Sequence, residues 1–154
     1  MNKIAGSRES KPMILTLSIE CVWGVNLTKP CKRIVEISAD ATLNDLHEFI
    51  QDIMDFGRDH PYEFYFANNS SPFAKKIWVT KKEDWKDKED DFASVKLGTI
   101  WPLGRKKLYY IFGFGDRWIF EIHKKRGAKP PKKGISYPRV IGAIGPKPRQ
   151  YQSI

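Results

Sequence analysis

The sequence predicts an α+β fold: a mostly antiparallel sheet with one main amphipathic helix, about residues 43–55, packed on one face. Three observations carry this prediction. Short segments in which apolar and polar residues alternate recur along the chain, the period-two pattern of half-buried strands. One stretch changes to apolar residues three and four apart, the pattern of a helix with a single buried face. Glycine- and asparagine-rich connections join neighbouring strand segments, which suits antiparallel hairpins. The chain has 154 residues, of which 41% are hydrophobic. That length fits one domain of the common size, about 100–150 residues, and the composition excludes wholesale disorder. Residues 1–11 are polar and aperiodic and are assigned to a loose start. Residues 12–154 are assigned to a single α+β domain that ends in a basic, Pro/Gly-rich segment, 124–154.

The elements follow in order. From Met13 to Cys21, Leu15, Leu17 and Ile19 alternate with Thr16, Ser18 and Glu20, a strand. Arg33–Ser38 is a second strand, and Asn26–Pro30 makes the pair a hairpin with a long loop. Thr42 and Asp45 form a capping signal in which hydroxyl and carboxylate satisfy free N–H groups at a helix start. Leu43, Leu46, Ile50, Ile53 and Met54 then share one helical face, and Gly57 is the expected stop. This ββα opening resembles a β-grasp, by analogy alone. Tyr62–Ala67 and Lys76–Thr80 are short strands around a turn at Asn68–Pro72. The mixed charges of Lys81–Asp91 predict a solvated loop or a short exposed helix. Leu97–Leu103 predicts a short helical turn ended by Pro102. Lys107–Phe112 and Arg117–Lys125 are a strand pair turned at Gly113 and Gly115. Val140, Ile141 and Ile144 predict a last short strand that returns to the core.

Three stretches, taken in order and spacing, carry a family likeness: Lys29-Pro30-Cys31-Lys32-Arg33; Thr42-Leu43-Asn44-Asp45-Leu46-His47 with Ile50-Gln51 and later His60 and Phe64; and Phe114-Gly115-Asp116-Arg117-Trp118. They resemble the Ri-plasmid open-reading-frame-three-like family, also known as a passenger protein of some insertion elements. The likeness spans roughly Ile14 to Tyr151. The family-motif residues it marks here are Arg33, Leu46, His47, His60, Phe114, Gly115, Asp116 and Trp118. Departures are Lys32 where the family has Trp, Gly113 where it has Asp, Phe120 where it often has His, and a basic ending in place of an acidic one. The resemblance implies a fold and a mobile-element association, with no established activity.

Charge is the strongest functional signal. The net charge is +9, yet residues 1–121 carry 18 bases and 18 acids, which cancel. All the excess lies in nine bases at the end: Lys124, Lys125, Arg126, Lys129, Lys132, Lys133, Arg139, Lys147 and Arg149. Residues 36–63 carry the opposite imbalance, eight acids against Arg58 alone. Spaced cations on a Pro-stiffened segment with Tyr137 and Tyr151 nearby suit a phosphate backbone and unpaired bases. The expected function is a small non-enzymatic binding module whose partner is nucleic acid or an acidic protein surface. The opposing reading has the tail folded on acidic groups of its own chain. A second class is a protein-interaction module that uses the acidic region 36–63.

A third class is an enzyme in which Asp116, His47, His60 and Arg33 meet in a pocket. No catalytic residue is assignable from spacing, and no cofactor is expected. A metal would need three or four ligands from His47, His60, His123, Cys21 and Cys31, but C-x-x-C and H-x-x-x-H spacings are absent, so no metal site is expected. His47 is expected as a hydrogen-bonded histidine at the edge of the apolar stripe, Asp116 as a turn-fixing carboxylate, and Trp118 as a core anchor. Gly113-Phe114-Gly115 lacks the third glycine of a phosphate fingerprint. The longest apolar run, Tyr109–Phe114, falls short of the ~20 residues of a membrane span. With two cysteines and no leader-like start, the expected setting is cytoplasmic.

Overall fold

Alternation in the first hairpin sets the geometry of everything after it. β1 (Ile14–Trp23) and β2 (Cys31–Ser38) pair antiparallel, from Ile14 opposite Ser38 to Cys21 opposite Cys31. Leu15, Leu17, Ile19 and Cys21 therefore share a face with Cys31, Val35 and Ile37, and all are buried. The structure is a computed structural model and describes residues 12–80, 84–115 and 117–150; the assignment made to residues 1–11 lies outside these.

α1 (Leu43–Met54) packs on that face through Leu43, Leu46, Ile50 and Met54. Its start is the expected capping box: Asp45 N donates to Thr42 Oγ1 at 3.1 Å, and Thr42 N donates to Asp45 Oδ2 at 2.9 Å. The stop differs from expectation. Asp55, not Gly57, takes the left-handed conformation with φ 58°, which Asp tolerates better than most residues. The N–H of Gly57 instead donates to Gln150 Oε1 at 2.6 Å.

The remaining elements are β3 (Tyr62–Ala67), β4 (Ile77–Trp78), α2 (Trp85–Phe92), a 3-10 turn at Leu97–Thr99, β5 (Lys107–Phe112), β6 (Trp118–Lys124) and β7 (Arg139–Ile144). They form one seven-stranded sheet in the order β4-β3-β5-β6-β1-β2-β7, with every pair antiparallel. The ββα opening is present as β1, β2 and α1; nothing beyond it supports the β-grasp analogy. Of the two readings of the charged run, the short helix is the one present. The charged run holds α2, capped by Asp84, whose Oδ1 accepts from Lys86 N at 2.9 Å. α2 is fixed by Phe92, fully buried against the rings of Tyr62 and Phe64. A smaller cluster of Tyr65, Ala67, Tyr109 and Ile111 lies apart from this main core. No helix among the described residues is long and apolar enough to cross a membrane.

The C-terminal segment as far as Gln150 lies on the sheet, and Tyr151 falls outside the described residues. Ile14 and Lys129 exchange backbone hydrogen bonds of 2.7 and 3.1 Å. β7 then pairs with β2 as the edge strand. The expectation that it returns to the core fails: Val140, Ile141 and Ile144 are 42, 47 and 58% exposed. An outermost strand has a neighbour on one side only, so its apolar side chains gain little cover. What pins the segment is Glu36, only 1% exposed, which accepts from Arg139 Nε at 2.7 Å and from Lys129 Nζ. Lys129 and then Arg139 hold its carboxyl below the usual carboxylate value. The tail thus folds partly on an acid of its own chain.

Candidate functional site

Antiparallel pairing of β5 and β6 sets Leu108 opposite Ile122 and Phe112 opposite Trp118. The chain entering β5 therefore lies beside the chain leaving β6, which brings Arg105-Lys106-Lys107 next to Lys124-Lys125-Arg126. Between them is a cleft of about 470 Å³, lined by these six cations with Trp101, Pro102, Leu103, Gly104, Ile122 and His123. No acid lines it. Lys107 pairs with Glu121 at 3.5 Å, and Lys124 Nζ donates to the carbonyls of Lys125 and Gly127 at 3.2 and 3.1 Å. Arg105, Lys106, Lys125 and Arg126 are exposed and have no ion-pair partner among the described residues. Unpaired cations converging on one cleft raise the local concentration of anions such as phosphates.

The nine tail cations do not form one stripe. Lys124, Lys125 and Arg126 line the cleft. Lys129 and Arg139 are bound to Glu36. Lys132 and Lys133 are exposed on the crossover to β7. Lys147 and Arg149 line another depression with Val25 to Lys29. Register places that depression at the opposite end of the sheet, since Lys32 pairs with Ile144 near the Trp118 end of β6.

Among the described residues Arg33, His47 and His60 each pack against different neighbours, and Asp116 lies outside the described residues. Arg33 reaches the carbonyls of Lys32, Ile144 and Gly145 at the sheet edge. His60 packs on Phe112, close to Gly113. His47 is buried between α1 and β5. Its ring stacks on Tyr62 with centroids 3.6 Å apart, and Nδ1 lies 2.5 Å from the Tyr110 hydroxyl. Gln51 Nε2 donates to that same hydroxyl at 2.9 Å. With His47 neutral and Nδ1 unprotonated, the Tyr110 hydroxyl donates to it while accepting from Gln51. Leu46 and Trp118 are core residues, and Phe114 and Gly115 are exposed in the β5–β6 turn. Among the described residues no group of three or more His, Cys, Asp or Glu is placed to hold a metal.

Burial pushes the His47 pKa down from 6.5 to about 4. Between those values the unfolded chain binds a proton that the folded chain refuses, so stability falls as pH drops from 6.5 towards 4. The full span is roughly 3 kcal/mol at about 1.4 kcal/mol per pH unit. Glu36, with its lowered pKa, adds a loss only below the ordinary carboxylate value of 4.5, while burial of Glu63 raises its pKa and opposes it. Both carboxylates cancel in a comparison with His47→Gln. Urea unfolding at several pH values is expected to show a wild-type slope above pH 5 that the variant lacks. An equal slope in both proteins contradicts this account of His47.

The cleft residues missed in the sequence are Trp101, Arg105, Lys106 and Lys107. Their signal was available: a basic triplet spans the start of one strand of the predicted pair, and another triplet spans the end of its partner.

With this geometry in place, comparisons show relationship. The family model described as plasmid pRiA4b ORF-3-like protein matches residues 23–150. The uncharacterised protein y4hQ of Sinorhizobium fredii (strain NBRC 101917 / NGR234) is 29% identical over 104 residues, covering 67% of this chain and 49% of that protein. The chain thus spans about half the length of this curated relative. The crystal structure of a protein of unknown function, MM3350 from Methanosarcina mazei Go1, matches with a TM-score of 0.64 at 23% identity. That match covers 87% of this chain and 70% of the other, and is a likeness of fold.

Proposed function

The chain belongs to the plasmid pRiA4b ORF-3-like protein family, and since that premise carries a fold and no activity, we propose from the cleft that it is a non-enzymatic module that contacts nucleic acid. The observation that supports this is the convergence of Arg105, Lys106, Lys107, Lys124, Lys125 and Arg126 on one cleft with no acid among the described residues of its lining. The contact surface is therefore narrower than the whole segment 124–149 and includes a loop outside it. A cytoplasmic, mobile-element setting belongs to the same reading, supported by the resemblance to insertion-element passengers.

A second reading takes the depression lined by Asp40, Asp45, Glu48 and Asp52 beside Tyr137 and Pro138 as a dock for a basic protein. Arg58 already binds Glu48 and Asp52, and Lys96 lies 3.9 Å from Asp40, so two cations offset half of that charge and favour the basic cleft.

Four unpaired cations give a log–log salt slope of about −3.6 on duplex DNA and about −2.8 on a single strand. Anisotropy titrations of a labelled oligonucleotide at several salt concentrations measure it. Absence of binding at low salt overturns the proposal.

A further inference from the structure

We infer that the nucleic acid this cleft takes is single-stranded, with one unpaired base stacked on Trp101. The inference rests on the reading of the cleft under Proposed function. Trp101 is half-buried: it packs against the main core and also lines the cleft. An aromatic ring held by packing loses little freedom when a base stacks on it. Pro102 and Leu103 extend the apolar wall, while the unpaired cations contribute the charge. That division matches a nucleotide, whose base is flat and apolar on its faces and whose phosphate is charged.

Size points the same way. A volume of about 470 Å³ is that of a small-molecule pocket, generally about 300–1,000 Å³. It holds a base but not a duplex, and in a duplex the base faces are hidden in the stack. The lining also bears on selectivity. Among the described residues its side chains are cationic or apolar except His123, so of these His123 alone offers a side-chain acceptor to a base edge. Binding is therefore expected to tolerate any sequence, because every base presents a π-face.

The test compares a single strand with an abasic strand of equal length, which keeps the phosphates and removes the bases. The wild-type protein is expected to bind the abasic strand about tenfold more weakly. Trp101→Leu is expected to weaken binding of the normal strand by a similar factor and leave the abasic strand unchanged. The abasic comparison needs no variant, so a folding defect in Trp101→Leu leaves the test intact. DNA and RNA strands are run in parallel, and base-dependent binding of either supports the inference. Equal binding of normal and abasic strands, with a salt slope still present, overturns stacking and leaves the cleft reading standing. No binding of any strand overturns both.

Discussion

Gly24→Ala lowers the thermal unfolding midpoint by about 6–12 °C. Gly24 follows β1 with its backbone against the fully buried indole of Trp118. A Cβ there would stand 2.0 Å from Trp118 Cε3 and 2.1 Å from Cζ3, far inside van der Waals contact. The ring has nowhere to go, because Phe56 packs on it with centroids 5.1 Å apart. Either the indole leaves its rotamer or the end of β1 moves off the sheet. Overpacking of this kind costs about 3 kcal/mol, and in a domain of this size each kcal/mol shifts the midpoint by about 2–4 °C. Gly115→Ala is the internal control. A Cβ at Gly115 meets nothing within 4 Å, so its midpoint is expected to stay within about 2 °C of wild type. Differential scanning calorimetry of both variants checks the pair. Equal midpoints for the two contradict the packing account of Gly24.

That contrast bears on what was legible in the sequence. Gly115 stood out because it belongs to a motif, and it is structurally free; Gly24 belongs to none and is the constrained one. A close approach between a backbone and a ring distant in sequence leaves no local pattern. Local patterns, in contrast, were readable. The capping box at Thr42 and Asp45, the α1 stripe and the β5–β6 pair each arise within a few residues of one another. The αL stop at Asp55 was missed because it is set by tertiary contact: Phe56 is buried against Phe112 and Trp118, which turns the chain before Gly57 is reached. The exposed flank of β7 was missed because alternation does not tell an edge strand from an inner one. The site was half legible. The tail triplet was seen as charge, but its companion Arg105-Lys106-Lys107 was hidden in a region that is electrically neutral as a whole. Only the register of the hairpin joins them.

The second large effect concerns that junction. Changing Arg105, Lys125 and Arg126 together to Glu removes three of the four unpaired cations and puts three carboxylates in their place. Each exposed charge pair at contact distance is worth about 1 kcal/mol in water, so the reversal is expected to weaken nucleic-acid binding roughly a hundredfold or more. All three residues are exposed, so stability should hold within about 0.5 kcal/mol. The matched control changes Lys132, Lys133 and Lys147 to Glu. It carries the same change in net charge at residues outside the cleft. A module that binds through diffuse positive charge responds equally to both variants. A module that binds through the cleft does not.

The most direct measurement is therefore one anisotropy titration of a labelled single strand against wild type and these two triple variants at fixed low salt. The cleft account predicts that Arg105→Glu/Lys125→Glu/Arg126→Glu loses binding and its salt slope, while Lys132→Glu/Lys133→Glu/Lys147→Glu keeps the slope and stays within about fivefold of wild type. Equal losses in the two variants, or full binding by the cleft variant, would contradict it.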